Sequence, residues 1–253
     1  KATEVIKGNM ATKKVLKKVE MGVTMEQLLE AGAHFGHQVR RWNPRMKKFI
    51  WQARGGVHIF DLEKSVEYLN KASDALAKFV EEGKKVLIVG TKPQAKGQVR
   101  EMAEKLGLGY VSERWLGGTL SNWTQIKSRL DRMNKLKTDR EAGKFAKYVK
   151  KERLLLDREI DKLTRFFGGL NVMKGLPEVI VIIDTHKEKV AVREAKGKGI
   201  KIIGIVDTNS DPEGIDFPIP MNDDSAAAIK IVLDALAMSV EKAKKVIKND
   251  VKK

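Results

Sequence analysis

The residues best equipped for chemistry lie at 38–54, where QVRRWNPRMKKFIWQAR interleaves Arg40, Arg41, Arg45, Lys47, Lys48 and Arg54 with Trp42, Phe49 and Trp51 and contains no acid. Guanidinium groups fork onto phosphate oxygens, and aromatic planes stack on bases or riboses, so this pattern points to nucleic acid. The Asn43-Pro44 step favours a loop or extended segment over a helix. A competing reading puts one or two of the rings in the core and leaves the arginines solvated. A second segment, ERWLGGTLSNW at 113–123, offers Arg114 and Trp115 beside the Gly117-Gly118 pair, with Ser121 or Asn122 as a cap for the following helix. Such glycines permit close approach of backbone to a ligand, and they equally make a plain turn.

Catalytic and metal motifs fail one by one. VGTKPQAKG at 89–97 sets a glycine and a lysine at a helix N-terminus, where N–H groups attract anions, but it has the spacing of neither a P-loop nor a dinucleotide fingerprint. An ordinary strand-to-helix turn is the better reading, with Lys92 still free to meet a backbone phosphate. DTNSD at 207–211 imitates the start of a calcium loop, yet Pro212 and Pro218 occupy the places that need glycine and glutamate. Asp207, Asn209 and Asp211 are therefore read as turn-formers. His34 and His37 have a spacing that fits one helical face, but there is no HExxH and no cysteine, so no metal site is assigned and a structural or RNA-contacting role is favoured. No G-x-S-x-G elbow exists. Asp61, Asp184 and His186 stand at strand ends, where catalysis occurs but where acidic caps also belong. No catalytic residue and no cofactor are expected; the competing reading is a phosphate-handling enzyme that uses the turns after the strands.

The chain has 50 Lys and Arg against 33 Asp and Glu, a net +17, and this excess is not spread evenly. Residues 1–20 carry 6 basic and 2 acidic groups, 38–54 carry 6 and none, 126–165 carry 14 and 7, and 240–253 carry 6 and 2. These four segments hold +21 between them and leave −4 for everything else. Basic segments around a mildly acidic remainder look like contact surfaces for a polyanion. An anionic membrane is the weaker candidate, because the C-terminal run EKAKKVIKNDVKK has no aromatic residue to bury in lipid. With no cysteine there is no disulfide framework or thiolate metal site, and the N-terminal residues lack a secretory apolar stretch, so a cytoplasmic setting is expected.

The elements that must position these groups follow a strand-then-helix rhythm. VHIFD at 57–61, VLIVG at 86–90, a weak YVS from Tyr110, VIVIID at 179–184 and IIGIVD at 202–207 alternate with stretches of helical period. Strands apolar on both faces imply a parallel sheet covered on both sides, a doubly wound three-layer α/β domain. FPIP from Phe217 suits a proline-tolerant edge strand, and Asp223 or Asp224 is a candidate cap for a long last helix. Between Thr124 and Arg165 the rhythm breaks. Ile126, Leu130, Met133 and Leu136 form one stripe; Leu155 or Leu156, Ile160, Leu163 and Phe166 or Phe167 form another. This reads as an inserted αα-hairpin that is either a plain prop or an arm carrying positive charge toward phosphate. The expected organisation is a basic N-terminal extension at 1–22, an α/β domain at 23–123 and 168–240, the hairpin at 124–167 and a basic tail at 241–253.

LLEAGAHFGHQVRRWNPRMKKFI, GGVHIFDLEKS, VLIVGTKPQAKGQV, ERWLGGTLSNW, PEVIVIIDTHKEKVAVREA and GIVDTNSDPEGIDFPIPMNDD together resemble the bacterial ribosomal protein S2 family, over about 24–240 and in the family's order. That resemblance implies a flavodoxin-like sheet interrupted by a coiled-coil hairpin and no catalytic residue. It implies binding of small-subunit ribosomal RNA at the junction of head and body, and docking of ribosomal protein S1. By motif position the RNA-facing residues would be Arg40, Arg41, Trp42, Arg45, Lys47 and Lys48, with Arg114 and Trp115.

Overall fold

A computed structural model describes residues 22–250; the expected N-terminal extension and the last three residues lie outside them. Five strands, β4 (Val86–Val89), β5 (Gly109–Val111), β6 (Val179–Ile182), β7 (Lys201–Val206) and β8 (Phe217–Pro220), form a wholly parallel sheet in the order β5-β4-β6-β7-β8. Their side chains divide by the two-residue period of a strand. Val86, Ile88, Val179, Val181, Ile203 and Ile205 point into one core, Leu87, Val89, Ile180, Ile182 and Ile202 into the other, which is why these runs are apolar without alternation. The first core is covered by α2 (Leu62–Glu81), α3 (Pro93–Leu106) and α7 (Ala226–Asp250), and the second by α4 (Trp123–Glu141), α5 (Lys150–Phe167) and α6 (Lys189–Gly197). As expected, β8 is an edge strand, where Pro218 and Pro220 need no ladder donor.

One strand belongs elsewhere. VHIF (β3, Val57–Phe60) pairs antiparallel with β1 (Phe35–Gln38) and β2 (Ile50–Arg54) in a separate three-stranded sheet, not in the parallel one. The reason is local: Gly55 and Gly56 both take positive φ, +59° and +77°, and close a tight hairpin between β2 and β3. The capped helix α1 (Met25–Glu30) precedes this sheet; Thr24 and Gln27 exchange reciprocal hydrogen bonds at its start.

Helices α4 and α5 bury the two anticipated stripes, with Leu156 rather than the exposed Leu155, and Phe167 rather than Phe166, as the more enclosed member of each pair. A 3₁₀ turn (Lys144–Lys147) joins them, and Arg132 bonds Glu159 through Nε at 3.1 Å. The last helix is capped by Ser225, whose Oγ accepts the Ala228 N–H at 3.3 Å, and not by Asp223 or Asp224. It runs on to Asp250, so the basic stretch from 241 begins inside a helix. Among the described residues no helix is long and apolar enough to cross a membrane.

The two sheets meet tightly at Gly36, where a Cβ would lie 2.5 Å from the Thr208 methyl and 2.9 Å from its hydroxyl. Gly36→Ala is expected to destabilise the chain by ~1–3 kcal/mol through overpacking, read as a shift of the urea midpoint at unchanged slope.

Candidate nucleic-acid interface

The loop at 38–54 is built as two 3₁₀ turns, Val39–Arg41 and Pro44–Phe49, laid against the end of the parallel sheet. Asn43 fixes the second turn: its side chain accepts the Arg45 N–H at 3.0 Å, while its own N–H donates to the Thr208 carbonyl at 2.7 Å. Met46 and Phe49 then drop into a small core with Phe60 and Val206. The rings divide as the competing reading allows: Phe49 is buried, Trp42 is half-buried against His58 with centroids 4.9 Å apart, and Trp51 on β2 is 68% exposed.

With the apolar residues turned inward, Arg40, Arg41, Arg45, Lys47, Lys48 and Arg54 are all exposed. Arg45 Nη1 sits 2.6 Å from both Asp211 and Glu213, and the Lys48 ammonium lies 4.8 Å from the centre of the Phe49 ring. Arg41, Lys47 and Arg54 have no ion-pair partner among the described residues. Such a row is an electrostatic footprint for phosphate.

Two of the expected contacts are not available. Lys92 is not free for phosphate: its side chain is 13% exposed, and its ammonium lies 3.0 Å from Asp184, 2.6 Å from Asp223 and 2.7 Å from Asp224. Burial disfavours the ammonium, but the three carboxylates outweigh that and raise its pKa above the ordinary lysine value. Trp115 is 7% exposed, and its indole N–H donates to Glu194 at 3.3 Å. Arg114, its neighbour, is exposed.

Glu194 is the residue that sequence reasoning missed. Its carboxylate also accepts the backbone N–H groups of Gly118 (2.8 Å), Leu120 (2.9 Å) and Ser121 (3.1 Å), clamping the turn that leads into α4. Burial pushes its pKa up, but these donors prevail and hold it below the ordinary glutamate range. Asn122, which takes the cap position of α4, makes no side-chain cap bond, and Ser121 is engaged by Glu194 instead. A glutamate four residues before Lys198 on a helix reads as an ordinary surface charge and carries no signal of this role.

The strand order reverses between β4 and β6, and the crevice beyond their carboxyl ends is where open α/β sheets bind ligands. Here the chain fills that crevice with its own ions. Lys92 and Asp184 occupy it, Thr91 donates a short hydrogen bond to the buried Glu188, and the Lys187 ammonium reaches the Thr91 carbonyl at 3.1 Å. Burial raises the Asp223 carboxyl to about 8, with Asp207 and Asp184 adding to the effect and Lys92 opposing it. Asp61 caps α2 through the Lys64 N–H. Asp207 is indeed in a turn, accepting from the Thr208 N–H, yet it also binds the His37 ring at 3.1 Å and is wholly buried. The two histidines do not share a helix: His37 lies on β1, and His34 just precedes it, its ring tilted 40° against Phe35 with centroids 4.0 Å apart. Among the described residues no group of three or more His, Asp or Glu is disposed to hold a metal ion.

A doubly wound sheet whose ligand crevice is plugged by its own salt bridges, and which turns a row of cations outward, defines a binding scaffold. The sequence profile of the family Ribosomal protein S2 matches residues 28–243, and the chain belongs to that family. Small ribosomal subunit protein uS2 of Bdellovibrio bacteriovorus is 46% identical over 215 residues, which are 85% of this chain and 69% of that relative. The family is one of structural ribosomal components and not of enzymes.

Lys92→Met would leave the buried Asp184 and Asp223 without their cation, beside the more exposed Asp224; a loss of ~3–5 kcal/mol of stability is expected in urea denaturation. Unchanged stability with weakened RNA binding would instead return Lys92 to the interface. His37 gives a pH signature: its bond to Asp207 raises the imidazole above the ordinary 6.5, burial working in the opposite direction. A raised folded value stabilises fully below the unfolded pKa and is lost as pH rises through the folded one. The stability gap between wild type and His37→Asn should therefore be larger at about pH 5.5 than at about pH 9.

Proposed function

We propose that this chain binds small-subunit ribosomal RNA at the junction of head and body and helps dock ribosomal protein S1, working in the cytoplasm as part of the ribosome. The observation that carries the RNA reading is the acid-free row of exposed cations at 38–54, held rigidly on buried Met46 and Phe49. Arg40, Arg41, Arg45, Lys47, Lys48 and Arg54 supply phosphate contacts, Arg114 adds one from a second loop, and the outer edge of Trp42 is placed to meet a ribose or base. The sheet is flavodoxin-like in this reading, and residues 124–167 form a coiled-coil arm whose 14 basic groups at 126–165 face RNA. Residues 1–22 and 241–253 flank the α/β domain of 23–123 and 168–240 as basic ends.

The S1 part of the proposal draws on a different surface. Met25 and Leu29 of α1, Phe35 of β1 and Trp51 of β2 are exposed large apolar residues that line one groove of about 690 Å³. A concentrated apolar patch of this kind marks a protein contact rather than a phosphate contact.

Sedimentation of a lysate on a sucrose gradient, after a moderate-salt wash to strip electrostatic hitchhikers, tests the proposal. The wild-type chain should travel with small subunits and whole ribosomes. Arg40→Glu with Arg41→Glu should move it toward the top of the gradient without a change in urea stability. A wild-type chain that remains free protein after the wash would overturn the reading.

A further inference from the structure

A second basic wall faces the loop across a groove of about 450 Å³ at the carboxyl ends of β6 and β7. Asn43 borders it on the loop side; Lys189, Arg193 and Lys196 border it on the α6 side, with His186 at its mouth. The spacing of 4 and then 3 residues puts these cations on one face of α6, opposite Ala191 and Ala195, which are fully buried.

Charge along α6 has been sorted by the fold. Both acids of this segment are drawn inward, Glu188 to Thr91 and Glu194 to the turn before α4. What remains outward on the groove side is cationic. The groove does have two acids of its own, Asp211 and Glu213, but Arg45 lies 2.6 Å from each and offsets one of their two charges from the loop side, so with Lys189, Arg193 and Lys196 the groove stays net cationic. Lys196 is occupied by the Glu213 carbonyl. Lys189 and Arg193 are exposed and have no ion-pair partner among the described residues.

We infer that this groove is a second RNA contact, in which Lys189 and Arg193 hold the sugar-phosphate backbone of a strand that also crosses the loop at 38–54. The inference rests on the RNA-binding reading above and extends it to a face that the basic segments of the sequence do not include. A backbone contact is the match, because the groove offers charge and polar edges, with His186 as its one ring and no Phe, Tyr or Trp in its lining. It is separate from the ligand crevice of the fold, which Lys92 and Asp184 fill.

The test uses the full chain and purified small-subunit ribosomal RNA in filter binding over a KCl series. Each phosphate neutralised contributes about 0.7 to 0.9 to the slope of log K against log salt, so Lys189→Gln with Arg193→Gln should flatten that slope by about 1.4 to 1.8. Lys189→Arg with Arg193→Lys should keep the wild-type slope. Circular dichroism checks that the fold survives, as expected for two exposed positions. A glutamine pair with the wild-type slope, when Arg40→Gln with Arg41→Gln does flatten it, overturns the groove and spares the loop. Wild-type protein that shows no salt-dependent RNA binding overturns the RNA reading itself. Vesicles containing anionic lipid serve as the competing polyanion: binding to them that falls with the glutamine pair while RNA binding does not would also overturn the inference.

Discussion

Three backbone N–H groups, from β1, the basic loop and the entry to α7, converge on the turn after β7. The N–H of His37 donates to the Thr208 hydroxyl at 2.7 Å, the N–H of Asn43 to the Thr208 carbonyl at 2.7 Å, and the N–H of Asp223 to the Asp207 carboxylate at 3.3 Å. Asp207 and Thr208 are both fully buried, so each of these bonds is shielded from water and expensive to leave unmade. This knot ties the three-stranded sheet and the basic loop to the end of β7, and reinforces the entry to α7, which the β7–β8 pairing and the Met221 N–H to Val206 carbonyl bond already hold there. Where the cations stand, and which way they face, depends on it.

The same constraint explains how the acidic residues are used. A remainder of −4 outside the basic segments suggests surface acids available to neighbours, but several of the carboxylates in that remainder are inside. Asp184, Glu188, Asp207 and Asp223 are buried, and Glu194 is spent on a turn. A buried ion pair does little for net stability against an apolar alternative, yet removing one partner is severely destabilising. Lys92 and its carboxylates therefore act as a lock on geometry. Several of these acids are paired internally, while Arg41, Lys47, Arg54, Lys189 and Arg193 are exposed with no ion-pair partner among the described residues, so the field at the surface they share is positive.

How much of this was legible in the sequence follows from the range of each interaction. Val86–Val89, Val179–Ile182 and Lys201–Val206 announce themselves because a strand covered on both faces must be apolar at almost every position. The stripes of α4 and α5 are likewise visible, since helical period is a local property. VHIF is a strand, as its residues imply, but it pairs outside the parallel sheet: period shows how a strand is buried and not which strand it pairs with, and the Gly55-Gly56 hairpin is the local cue to its partner. Lys92, Trp115 and Glu194 were opaque for a stronger reason. Their partners lie 131, 79 and 76 residues away, so nothing near them in sequence separates a buried clamp from a surface contact.

The contrast between β4 and the basic loop shows how a ligand-binding architecture becomes a scaffold. In an open parallel sheet the crevice at the strand reversal is vacant by topology, and function usually follows from what binds there. Filling it with Lys92 and Asp184 removes that possibility and at the same time fastens α7 to the sheet through Asp223 and Asp224. In the proposed function recognition passes to the loops outside the crevice, which are free to be basic because they carry no core of their own beyond Met46, Phe49 and their neighbours. A phosphate backbone asks for charge at fixed spacing and little else. A sheet that spends several carboxylates internally and turns lysine and arginine outward is, on the function proposed, suited to that demand without a ligand in its crevice.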